Sequence, residues 1–115
     1  MTGMGQDDEP GWYAVRCVFR WKRRARRRMR TYEERITLWR ATSWQEVFAR
    51  AEAEAHSYAA ELEHVAYLEF AQAYRLVDEP GDGAEVFSLL RDSPLRRRRY
   101  LRSFFATGTE RQGHP

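Results

Sequence analysis

Lysine, cysteine and long apolar runs are all nearly missing from this chain. One cysteine, Cys17, in 115 residues excludes a disulfide framework and every CxxC redox or zinc pattern. No uncharged apolar stretch is longer than the four residues of Trp12-Tyr13-Ala14-Val15, far short of the roughly 18 residues a membrane span requires, and no apolar segment follows a basic start as in a secretion signal. The expectation is a cytoplasmic protein with no membrane partner. The histidines His56, His64 and His114 show no metal-ligand spacing with one another or with Cys17, so neither a metal nor a cofactor is expected. The length suits one domain and excludes a large enzyme. At 43% hydrophobic, 14% aromatic and 32% charged, the chain is too apolar for intrinsic disorder and holds one modest core.

What the chain has in quantity is arginine, and its charges are sorted by sign. The formal net charge of +3 conceals nine positive residues and no acid between Arg16 and Arg30: Arg16, Arg20, Lys22, Arg23, Arg24, Arg26, Arg27, Arg28 and Arg30. An acidic middle from Glu46 to Glu85 follows, then a second basic cluster at Arg91, Arg96, Arg97, Arg98, Arg99 and Arg102. Such asymmetry suits a partner that is nucleic acid or another polyanion. The same bias, with a single lysine, also follows from GC-rich codon usage, so composition alone leaves both readings open.

Periodicity divides the chain into a disordered tail at 1–11, a single α+β domain at 12–106 and a polar tail at 107–115. From Trp12 to Trp21 the pattern has period two, with Tyr13, Val15, Cys17, Phe19 and Trp21 on one side; this is a strand with an apolar face. Alternation resumes from Tyr32 to Ala41, so the arginine run is the loop of a hairpin. Ser43 three residues before Glu46 makes a capping box. It opens a helix over 43–62, whose stripe is Trp44, Val47, Phe48, Ala51, Ala55, Tyr58, Ala59 and Leu62. Glu46, Arg50, Glu52, Glu54 and Glu61 are expected on its wet side. A third strand over 64–77 and a fourth over 84–90 form a second hairpin around Pro80-Gly81-Asp82-Gly83. Ser93-Pro94 starts a short C-terminal helix, whose four arginines oppose the helix dipole. The predicted architecture is ββαββα: a four-stranded, mainly antiparallel sheet with the long helix on one face. The first and third strands are apolar on both faces, so either the C-terminal helix or a second copy must cover the other side.

Candidate chemistry is sparse. Cys17 in the middle of an apolar strand face reads as an inert buried thiol. Gly81-Asp82-Gly83 lacks the lysine and helix of a phosphate loop. Glu33 and Glu34 are strand neighbours and point to opposite faces, unlike a paired acid–base device. Glu69 sits among Val65, Tyr67, Ala71 and Ala73 and needs a partner; a structural ion pair with Arg35 is the expectation, with a catalytic acid as the other possibility. Lys22 to Arg30, flanked by Trp21, Met29 and Tyr32, joins phosphate-binding charge to aromatic faces.

Three segments, Trp12-Tyr13-Ala14-Val15, Tyr32-Glu33-Glu34-Arg35-Ile36 leading into Ala41-Thr42-Ser43-Trp44-Gln45-Glu46, and Asp82-Gly83-Ala84-Glu85-Val86-Phe87-Ser88, resemble the small bacterial proteins grouped as domain of unknown function 4288. The resemblance covers roughly 12–90. It implies a compact bacterial α+β unit and no activity, and the two arginine runs are not part of its pattern. The residues themselves point to a small non-enzymatic interaction module that forms a homodimer and binds a protein partner. The alternative is a nucleic-acid or anion binder using Lys22, Arg23, Arg24, Arg26, Arg27, Arg28, Arg30 and Arg96 to Arg99.

Overall fold

The computed structural model describes residues 10–22, 30–105 and 107–110. The arginine loop residues Arg23, Arg24, Arg26, Arg27 and Arg28, and most of both tails, therefore lie outside the described residues. The fold is α+β, with a three-stranded antiparallel sheet in the order β2-β1-β3. Strand β1 (Gly11–Trp21) is central, which is why both of its faces are rich in apolar residues. Strand β2 (Thr31–Ala41) and strand β3 (Val65–Arg75) flank it. Helix α1 (Trp44–Glu61) joins them and covers one sheet face, and helix α2 (Arg97–Phe104) follows near the end.

The capping signal that opens α1 forms in a modified way. The Glu46 N–H donates to Ser43 Oγ at 3.1 Å, while the Glu46 carboxylate reaches past Ser43 to accept from the Thr42 N–H at 2.8 Å and the Thr42 hydroxyl at 2.9 Å. Those donors hold the Glu46 carboxyl below the usual range. The buried stripe of α1 is Val47, Ala51, Ala55 and Ala59, and these small side chains let the helix lie close against Tyr13, Val15 and Phe19 of β1 and Tyr67 of β3. Phe19 meets the Tyr58 ring edge-on, with centroids 5.0 Å apart. Burying one such side chain contributes about 1.5–3 kcal/mol.

Register decides which side of each strand joins this core. Tyr13 opposes Trp39 and Cys17 opposes Arg35 across β1–β2, so the β2 side under α1 carries Glu33, Arg35, Thr37 and Trp39. Its aliphatic residues Ile36 and Leu38 face away. Strand β3 contains an irregularity between the pairs Cys17↔Ala71 and Phe19↔Tyr67. Three residues there, 68–70, oppose Val18 alone, so two are extra. An even excess preserves the alternation, leaving Leu68 and Phe70 on the open face and Glu69, with φ 59°, on the side of α1.

Two expected features differ. Residues 84–90 form no strand; side chains make the contact instead, as Tyr74 donates to Glu85 and its ring meets Phe87 edge-on at 6.1 Å. The chain does turn after β3, the Gly81 carbonyl accepting from the Ala84 N–H, but no backbone ladder to β3 follows it. The last helix also begins three residues later than Ser93-Pro94 suggests. Ser93 Oγ accepts from the Leu95 N–H in a local turn, and Arg96, which has no capping side-chain bond, stands at the helix N-cap.

Candidate functional site

The expected Glu69–Arg35 ion pair is not formed. Arg35 lies on β2 and Glu69 on β3, with β1 between them, a separation of two strand spacings or about 9.5 Å. Each finds its partner on α1 instead. Arg35 donates to both carboxylate oxygens of Glu54 at 2.7 and 2.8 Å, and Glu69 faces His56 at 3.3 Å. Glu52 and Glu54, expected on the wet side of the helix, are half-buried in this seam.

The seam between α1 and the sheet is a polar network built on aromatic support. Tyr58 donates to Glu33 at 2.8 Å, the Trp21 indole donates to the same carboxylate at 3.0 Å, and the Arg35 guanidinium lies 3.9 Å above the Tyr58 ring. Burial and the Glu33 carboxylate push the Tyr58 hydroxyl up to about 12. On the β3 side Tyr67 donates to Glu52 at 2.7 Å, and burial, then that bond, raises its pKa well above the ordinary tyrosine value. Burial also raises the Cys17 thiol beside it, leaving it protonated and inert as its strand position suggests. These bonds of Glu33, Arg35, Glu52, Glu54, Tyr58 and Tyr67 tie helix to sheet, while the buried Tyr13 hydroxyl has no partner among the described residues.

Of the two basic clusters, Lys22 and Arg30 at the loop end of β1 and β2 and Arg96 to Arg99 at the start of α2 are exposed, while Arg16 is half-buried. The described contacts of α2 are with Arg91 and its own neighbours: the Arg91 guanidinium donates to the Tyr100 hydroxyl at 3.0 Å and covers the Phe104 ring at 4.0 Å. Among the described residues nothing joins the two clusters. A cavity of about 170 Å³ at the opposite sheet end is lined by both signs of charge, Arg40 and Arg75 with Asp78 and Glu79. Glu69 lines neither this cavity nor the hollow beside Arg96, Arg97, Arg98 and Leu101.

The feature that periodicity misses is which residues the open sheet face exposes. Ile36 (45% exposed), Leu38 (42%), Leu68 (42%) and Phe70 (48%) stand there with Tyr32 (56%). Arg16 crosses the middle of this face, donating to Glu34 at 3.3 Å and to Gln72, with its guanidinium 5.3 Å from the Phe87 ring. Alternation in β2 reveals two faces but not which one meets the helix; only pairing with β1 settles that. Helix α2 contributes no buried residue, so it does not cover the patch. Comparison with protein-family models, curated proteins and solved structures finds no match.

Proposed function

We propose that the protein is a small non-enzymatic interaction module that pairs with a second copy of itself through the sheet face opposite α1 and, so assembled, binds a protein partner. The observation that carries this reading is the exposed apolar face of Ile36, Leu38, Leu68 and Phe70. Exposed apolar side chains gathered on one face, here on either side of Arg16 and its contacts with Glu34 and Gln72, mark interaction sites on small proteins. Support also comes from the titratable groups of the helix–sheet seam, which are committed to one another. The outer edge of β2, eleven residues long, offers backbone for a partner's strand to extend the sheet. The resemblance to domain of unknown function 4288 carries no activity and sits comfortably with this reading.

Light scattering coupled to size exclusion at micromolar concentration tests it. A mass of twice 13.7 kDa is expected, and Ile36→Asp should return the protein to the monomer. A strict monomer of the natural chain overturns the proposal. The arginine-rich polyanion reading calls for one continuous positive track. If that reading holds instead, the monomer will shift a single-stranded oligonucleotide in a gel, with log K falling against log salt at about −0.7 per contacted phosphate.

A further inference from the structure

Helix α2 is amphipathic, yet none of its residues is buried. At 100° per residue, Tyr100, Leu101 and Phe104 share one side with Arg97, while Arg98, Arg99 and Arg102 share the other. Leu101 is 57% exposed, Phe104 41% and Phe105, just beyond the helix, 52%. Among the described residues, that apolar side is met from outside the helix and its cap by Arg91. The chain thus carries two exposed apolar surfaces, one on the sheet around the Phe87–Arg16 contact and one on α2, and no contact among the described residues joins them.

Resting on the self-association reading above, we infer that each open sheet face is covered by α2 of the second copy, exchanged reciprocally across a two-fold axis. Three observations favour this over direct stacking of two sheet faces. Stacking would bring Arg16, Arg20 and Arg40 of one copy towards the same residues of the other, and like charges at an interface disfavour it. Exchange instead turns Arg98, Arg99 and Arg102 to solvent and sets Arg97, which lies on the apolar side of α2, beside the carboxylate of Glu34, to which Arg16 also donates. The area also suits a stable pair. With side-chain areas of roughly 150–250 Å², the exposed fractions on the face and on α2 amount to roughly 700–800 Å² per copy. That is about 1,500 Å² for the pair, within the roughly 1,200–2,000 Å² of stable interfaces. Finally, the link between β3 and α2 is long: Phe87 and Glu85 tether it to Tyr74, and the residues from Ser88 to Arg96 remain to reach a neighbour, the usual arrangement for exchanging an element between copies.

Sedimentation of the full chain and two double variants tests the exchange. Leu101→Asp with Phe104→Asp alters only α2, where no residue is buried, so the sheet domain should keep its circular dichroism and melt normally. The natural chain is expected to dimerise and this variant to do so at least tenfold more weakly. Ile36→Asp with Leu38→Asp should also weaken pairing. An equimolar mixture of the two variants, in which one intact face meets one intact helix, should pair better than either alone. A helix variant that dimerises as well as the natural chain overturns the exchange and leaves the self-association reading standing. A natural chain that is monomeric overturns both, as does a dimer indifferent to the sheet substitutions.

Discussion

At the scale of single residues, the polar contacts under α1 show how a modest core is stiffened. Glu33 lies on the helix side of β2, where a carboxylate would be costly without partners; Tyr58 and Trp21 both donate to it. Removing the Tyr58 hydroxyl by Tyr58→Phe should cost about 1–2 kcal/mol, since a bond to a charged acceptor is lost while the ring contacts remain. The same substitution should change the alkaline limb of stability. The Tyr58 pKa is about 12 in the folded protein against an ordinary 10.0, so between those values the folded state holds the proton more tightly than the unfolded chain does. Its contribution is complete below pH 10.0 and lost as pH rises towards 12. Urea midpoints at pH 9 and 11 should therefore fall less steeply for Tyr58→Phe than for the natural protein, with a residual slope owed to Tyr67, whose pKa is also raised. Neither contact was legible in the sequence: Glu33 and Tyr58 lie 25 positions apart, and only sheet register brings them together.

At the scale of elements, helix α1 was the most legible part of the chain, because its cap, stripe and length all agree. Its C-terminus is less well matched to its backbone. Leu62 is the C-cap, and the next residue, Glu63, adopts φ 61°, a conformation that favours glycine at this position of a helix end. Glu63→Gly should raise stability by about 0.5–1 kcal/mol, the relief of left-handed strain exceeding the added freedom of the unfolded chain, as read from the urea midpoint. Strand β3 was found by its period, but its irregularity was not. Leu68-Glu69-Phe70 continues the alternation smoothly, and the even number of extra residues leaves no trace in the pattern. The fourth strand failed for the opposite reason: Ala84 to Leu90 has the composition of a strand, yet it meets β3 through the side chains of Glu85 and Phe87 and not through a backbone ladder.

At the scale of the whole molecule, the notable property is how little of the apolar surface a single copy hides. The core draws on β1, α1 and β3 with Ala41 at the end of β2, while α2 adds nothing buried to it. If two copies complete one another, stability depends on concentration, because anything that binds only the folded state stabilises it by mass action. The thermal midpoint should rise with each tenfold increase in protein concentration in the micromolar range, and Ile36→Asp should remove that dependence. A midpoint independent of concentration would indicate a chain that folds to completion alone. No described helix is long and apolar enough to cross a membrane.

By itself the sequence determined the elements whose signals are local: a strand from Trp12 to Trp21, its partner ending at Ala41, a capped helix with an alanine-rich buried stripe, and a two-sided apolar strand after it. It also determined the separation of charge along the chain. Only tertiary structure decided which face of β2 the helix covers, which carboxylate answers Arg35, and that Ile36, Leu38, Leu68 and Phe70 stand in the open. The reason is physical. Capping and periodicity act over a few residues, whereas facing, pairing and exposure are set by β1, which holds β2 and β3 in register and thereby chooses for both of them which side becomes core.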